Sequence, residues 1–80
     1  MNDISFKIIM SVDKDMYMQE IWRKTNISLS SILRNIHELE ELNLIETKKE
    51  GRIRFIKLTE KGVKFRDCIK KMMVLINETE

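Results

Sequence analysis

The stretch EIWRKTNISLSSILRNIHELEELNLI, residues 20–45, reads as a short helix, a tight turn and a longer helix. Its hinge is Thr25-Asn26-Ile27-Ser28. Asparagine tolerates the left-handed backbone that ends helices better than most residues, so Asn26 closes a first helix over 19–24, with Ile21 facing inward. Ser28 is a good N-cap, because its hydroxyl accepts from an N–H that the following turn leaves unpaired. The helix it starts is expected over 29–42. On it Leu29, Ile32, Leu33, Ile36, Leu39 and Leu42 recur every three or four residues, while Ser30, Ser31, Arg34, His37, Glu38 and Glu41 fall elsewhere. Asn43 repeats the helix-ending signal.

Downstream, 44–49 and 52–58 read as two strands joined around Glu50-Gly51, where a glycine with charged flanks suits a hairpin. Thr59 is placed to cap a long helix over 60–77, about 27 Å at 1.5 Å per residue. Upstream, Ile4, Ile8, Ile9 and Val12 recur at helical spacing behind Asp3, a first helix over 3–12 with Asp3 as its cap. Asp13-Lys14-Asp15 is a loop, and Met16-Tyr17-Met18 is a strand too short to stand without a partner. The class is therefore α+β, in the order helix, short strand, helix, helix, strand, strand, helix. No linker or repeat divides the chain, so 1–80 is read as one domain.

Composition narrows the function. Hydrophobic residues at 42% and charged residues at 35% describe a globular chain rather than a disordered one. The apolar run Met72-Met73-Val74-Leu75-Ile76 falls far short of the ~20 residues that span a bilayer, so no membrane partner is expected. Asp3, Lys7 and Asp13 interrupt the start of the chain where a secretory leader would be apolar. Cys68 is the one cysteine, which excludes an internal disulfide framework and points to a reducing, cytoplasmic setting. One histidine, one cysteine and no glycine-rich phosphate loop leave no basis for an enzyme, a metal site or a cofactor. Twelve isoleucines and no alanine are compatible with an AT-rich archaeal or viral genome. Charge is unevenly spread: residues 1–47 carry a net −3, 48–71 a net +7, and the last nine a net −2. A basic block of that density suits a polyanion, or else a solvated lysine-rich face.

The order of elements is that of a winged helix-turn-helix, and the residues of 20–45 resemble the helix-turn-helix of MarR-type regulators. Ile21, Ile27, Ile32, Ile36, Leu39, Leu44 and Ile45 match that family's aliphatic positions. Arg52 is similar to its wing arginine, and Leu58-Thr59-Glu60-Lys61-Gly62 to the segment that follows the wing. Small archaeal winged-helix proteins with a C-terminal dimerising helix share the pattern, which covers roughly residues 4–65. Asn26 and Asn43 stand where the family usually has glycine, and Trp22 where it usually has alanine, a substitution expected to need a widened pocket or a partner surface. The extra N-terminal helix and second C-terminal helix of full-length MarR proteins have no counterpart here. The resemblance implies a homodimeric, sequence-specific regulator of double-stranded DNA with an effector that is not legible.

On that reading the recognition helix offers Leu29, Ser30, Ser31, Leu33, Arg34 and His37. Arg34 would pair with a guanine edge, Ser30 and Ser31 with phosphates or water, and Leu29 or Leu33 with a thymine methyl. Core packing is the competing reading for both leucines. His37 is read first as a surface polar residue. Glu38, Glu40 and Glu41 repel DNA, so only the first two turns should engage. The wing offers Arg52 to a minor groove, with Lys48, Lys49 and Arg54 on phosphates. Phe65, Cys68, Ile69, Met72, Leu75 and Ile76 form a dimer seam along the last helix, whose base, at Val63 and Phe65, should cover the domain's own core. Cys68 is read as a small buried hydrophobe, or as an intersubunit disulfide if it lies on a two-fold axis. A winged-helix module that docks on protein, or a nonspecific architectural DNA protein, are the alternatives.

Overall fold

The computed structural model describes residues 2–12 and 15–78, and in it the elements follow in the expected order. They are α1 (Asp3–Ser11), β1 (Met16–Tyr17), α2 (Met18–Thr25), α3 (Leu29–Glu41), β2 (Ile45–Glu50), β3 (Ile53–Leu58) and α4 (Glu60–Glu78). Most boundaries shift by one residue from the sequence reading, and three of the differences have a clear physical cause. Asn2, not Asp3, caps α1: its side chain accepts from Ser5 N at 2.9 Å, and Asp3 becomes a first-turn acid suited to the positive helix end. Met18 opens α2 instead of closing β1. The hairpin turns at Gly51 and Arg52, because Glu50 still pairs with Ile53, and Gly51 supplies the positive φ of 63° that such a tight turn needs. Asp13 and Lys14 of the expected loop lie outside the described residues.

The sheet is antiparallel with strand order β1-β3-β2. Its inner face meets the helices in one apolar cluster of Ile8, Ile9 and Val12 from α1, Ile21 from α2, and Ile32, Ile36 and Leu39 from α3, closed by Met16, Leu44, Ile45, Ile56 and Leu58. Each named helical position follows the three-to-four spacing that puts side chains on one face. Trp22 needs no pocket. It sits one residue past the buried Ile21, about 100° around α2, and is half exposed.

The helix ends explain why the chain turns where it does. Asn26 has φ 55° and its N–H reaches Trp22 O at 2.9 Å, which ends α2. Asn43 has φ 60°. Its N–H bonds Glu40 O at 2.9 Å and the N–H of Leu44 bonds Leu39 O at 3.0 Å, so the last carbonyls of α3 are satisfied and Leu44 is folded back into the core beside Leu39. Thr59 then joins this corner to the next helix. Its hydroxyl donates to Asn43 O at 2.7 Å and accepts from Gly62 N at 2.9 Å, the cap of α4 that the sequence reading placed there. Lys61 Nζ donates to Leu42 O at 2.8 Å, a cation on the negative end of α3. A Cβ built on Gly62 would overlap the backbone carbonyl of Leu44. Glycine at 62 is therefore required by close approach.

Two further cations close α1, which has no basic residue in its own last turn. Arg66 of α4 donates to Val12 O at 2.8 Å and Lys24 of α2 to Ser11 O at 3.4 Å. Above Arg66, α4 leaves the body. Phe65 is half buried, stacks on Phe6 with ring centroids 6.3 Å apart, and packs on the core. Val63 does not cover the core as expected but faces outward, and Cys68 is exposed rather than buried. From Lys70 to Glu78 every residue is exposed. No helix among the described residues is long and apolar enough to cross a membrane.

Gly62→Ala should cost about 1–3 kcal/mol, because a methyl forced against main chain strains a packed corner. In an 80-residue chain each kcal/mol moves the melting midpoint by roughly 4–8 °C. Gly51→Asn, at a turn open to solvent with a conformation asparagine accepts, should cost well under half as much in the same denaturant melt.

Candidate nucleic-acid interface

The outward face of α3 follows from its buried one. Ile32, Asn35, Ile36 and Leu39 point into the molecule. At 3.6 residues per turn, Ser30, Arg34 and His37 then fall within about 60° of one another on the opposite side. All three are exposed, and Leu33, 40% exposed, flanks them and is not core. Leu29, 49% exposed, begins the helix on the flank that faces the wing. Ser31 is different. It is half buried and tied into the cap, accepting at Oγ from Ser28 Oγ at 3.0 Å and donating its N–H to Ser28 Oγ at 3.4 Å. Of the six positions named from the sequence, the fold brings Ser30, Leu33, Arg34 and His37 onto one outward face and sets Leu29 and Ser31 to its two sides. His37 Nε2 lies 3.2 Å from Glu41 Oε1 one turn on, so the acidic end of the helix begins beside it.

Sequence reasoning passed over what holds this face in place. Asn35 is buried on the inner side of α3. Its Oδ1 accepts from Ser5 Oγ at 2.9 Å, and its Nδ2 donates to Ser31 O at 2.7 Å. Ser5 is likewise fully buried. A pair of small polar residues inside an apolar interface accepts few alternatives to one geometry, so it fixes the rotation and slide of α3 against α1. The signal was present in the sequence as polar residues at core-spaced positions on two helices.

The wing cations gather toward the tip of the hairpin, but not on one face of it. Strand register puts Lys49 opposite Arg54 and Lys48 opposite Phe55. Directly paired residues share a face of the sheet, so Lys49 and Arg54 continue the inner, helix-side face beyond the core. Lys48 lies on the outer face with Glu46, Glu50 and Lys57. Like charges directly opposite destabilise a hairpin, and Lys49 with Arg54 is such a pair. Arg52 occupies the turn itself. Arg66, counted in the basic block, is withdrawn from it: its side chain is 14% exposed and committed to Val12 O, with Nε 3.8 Å from Asp67 Oδ1. Lys61 is likewise held at the end of α3.

The last helix carries the third surface. Met72, Met73, Val74, Leu75 and Ile76 are 53–61% exposed, a contiguous apolar run on a helix that projects into solvent. With Ile69 half buried and Cys68 exposed below them, the stripe named from the sequence is continuous along one side of α4. Among the described residues no cluster of histidine, cysteine, aspartate or glutamate is arranged to hold a metal ion.

Comparison with known proteins sets this geometry in context. No family model matches the chain. An uncharacterized protein of Archaeoglobus fulgidus is 36% identical over 66 residues, covering 81% of this chain and 70% of the relative. The crystal structure of AF1382 from Archaeoglobus fulgidus superposes with a TM-score of 0.87 at 29% identity, covering 95% of this chain and 90% of that one. Streptococcus pneumoniae FabT, solved in complex with DNA, superposes with a TM-score of 0.88 at 17% identity over 99% of this chain and 59% of its own. The fold is thus the winged helix-turn-helix of MarR-type regulators.

Ser5→Ala leaves the Asn35 oxygen buried without its donor and should cost about 1–3 kcal/mol in a denaturant melt. Ser5→Ala combined with Asn35→Leu should recover much of that loss, since apolar replacement of both partners removes the orphaned group.

Proposed function

The chain belongs to the same family as the uncharacterized Archaeoglobus fulgidus protein, and from its winged-helix fold and its surfaces we propose that it is a regulator that binds double-stranded DNA sequence-specifically as a homodimer. One observation carries this reading: Ser30, Arg34 and His37 share the outward face of α3, next to a wing whose inner face and turn present Lys49, Arg54 and Arg52. A helix of this exposure fits a major groove, and its N-terminal turn carries the groups that reach base edges. Arg34 is the residue with the geometry for two hydrogen bonds to guanine. The wing then reaches the neighbouring minor groove with Arg52, while Lys49 and Arg54 meet phosphates. Lys48 faces away and contributes to the general field rather than to contact. Among fold neighbours, FabT was solved in complex with DNA, which supports a DNA partner here.

Dimerisation is proposed through α4. A run of exposed methionine, valine, leucine and isoleucine on a projecting helix marks an association surface. Two copies packed along Ile69, Met72 and Ile76 bury it, and Cys68 and Leu75 border the seam. Phe65 sits where the seam meets the body of each protomer. The dimer would present two recognition helices to half-sites about 34–36 Å apart or a multiple of that spacing. Enzymatic chemistry has no support here, and fold neighbours described as transcriptional regulators point away from it.

Fluorescence anisotropy on a selected duplex and its single-base variants tests the division of labour. Arg34→Ala should relax preference at one base pair, a loss of about 1–3 kcal/mol of discrimination there. Arg52→Ala should weaken all sequences together and reduce the logarithmic salt slope by about 0.9. Lys48→Ala should leave both nearly unchanged. Equal behaviour of the two arginine variants would contradict the assignment. Sedimentation equilibrium tests the seam: wild-type protein should be a dimer, and the Met72→Glu, Ile76→Glu double variant a folded monomer with at least tenfold weaker DNA binding. A wild-type monomer at micromolar concentration would contradict it.

A further inference from the structure

Ser30, Arg34, His37 and Glu41 fall on a single row along the outward side of α3. At about 100° per residue their directions lie within about 60° of one another, and Glu41 stands about 10 Å beyond Arg34 along the axis. A carboxylate therefore points the same way as the arginine. His37 lies between them, its Nε2 3.2 Å from Glu41 Oε1, with the two side chains 75% and 68% exposed. It is the one histidine of the chain. The charges around it come from two elements. On α3 itself, Glu40 accepts from the Thr47 hydroxyl at 3.1 Å and is drawn toward β2, while Glu38 lies on the flank away from the wing. β2 turns Lys49 to the same face as Thr47. α1 meets the opposite side of the helix, where Ser5 bonds Asn35.

We infer that the His37–Glu41 pair makes DNA affinity respond to pH, tightening it on mild acidification and loosening it as the pH rises through neutrality. The inference rests on the DNA reading above and extends it to regulation. Imidazole is the side chain whose charge ordinarily changes between about pH 5 and pH 8. With a neutral ring the pair carries one negative charge on the row that faces the duplex. Nε2 donates to Glu41, and Nδ1 is left as a bare acceptor that phosphate oxygens repel. Glu41 lies about one screening length, roughly 8–10 Å, from the groups that Arg34 would touch, so its charge is felt there. Protonation cancels that charge and turns Nδ1 into a second donor, now charge-assisted. Contact that otherwise stops after the first two turns of α3 then reaches the third. The sign follows from linkage. A duplex favours the imidazolium over the neutral ring, so binding takes up a proton and affinity falls as the pH rises. In a dimer the effect enters once for each protomer.

The test uses the full chain and a duplex selected for tight binding, titrated by anisotropy from about pH 5.5 to about pH 7.5 at fixed ionic strength. Affinity should fall by about fivefold across that range, the size expected of one exposed charge pair per protomer. The logarithmic salt slope should be steeper at the acid end, where the row carries one more cation. His37→Gln keeps a polar side chain that does not titrate, and its affinity should no longer change with pH. Glu41→Gln should bind more tightly than wild type at the neutral end and lose more than half of the pH response. Both substitutions fall on exposed side chains, and thermal melts check that the fold is kept. Equal affinity at the two ends of the range, with the parent duplex tightly bound, would overturn the pair and leave the DNA reading intact. A pH response that survives in His37→Gln, or that is undiminished in Glu41→Gln, would overturn it as well. Failure to bind any duplex at any pH would remove the DNA reading and this proposal with it.

Discussion

The approach of Gly62 to the carbonyl of Leu44 is the contact on which the rest of the structure depends. Four elements meet there: the end of α3, the first residue before β2, the end of β3 and the start of α4. Asn43 turns the chain at φ 60°, Leu44 drops into the core, and Thr59 holds the Asn43 carbonyl with its hydroxyl while accepting the Gly62 N–H. Lys61 closes the carbonyl of Leu42 from the same turn. The distance and angle between α3 and the wing, and the direction in which α4 departs, are set at this one corner. A side chain at 62 would push α4 away and disturb all three surfaces together. Asn35 and Ser5 do the complementary task at the other end of α3, fixing its rotation against α1.

Charge in this molecule divides into structural and presented groups. Arg66, Lys61 and Lys24 each donate to carbonyls at a helix end, where a cation offsets the negative pole. Lys49, Arg52 and Arg54 instead crowd one side and the tip of a hairpin, at a cost in cross-strand repulsion. These cations lie beside a helix face of serine, arginine and histidine and add nothing to the packing of the fold. At the other end of α3 the surface turns acidic, where Glu41 pairs with His37.

The fold was largely legible from the residues because its punctuation is local. The helix-ending or helix-starting bond of Asn26, Ser28, Asn43 and Thr59 lies in each case within four residues, and each ends or starts a helix where expected. Apart from the cap of α1, what escaped was long-range. The Asn2 cap competed with an equally plausible Asp3, and both satisfy the same local rule. The turn moved to Gly51 and Arg52 because strand register, fixed by pairing Ile45 with Leu58, keeps Glu50 in the ladder. In the candidate site, spacing alone identified Arg34 and Ser30, but the withdrawal of Ser31 into the cap, of Lys48 to the outer face and of Arg66 to α1 required partners 3 to 54 positions away. Cys68, expected as a small buried hydrophobe, is exposed on α4.

The most direct measurement is selection of bound fragments from genomic DNA by the full chain, followed by titration of the best fragment at two salt concentrations. An enriched inverted repeat, with half-sites one helical turn or a multiple apart and affinity falling steeply with salt, is the expected result. Salt-dependent retention with no enriched sequence would contradict the sequence-specific reading, and no retention at low salt would contradict DNA binding altogether.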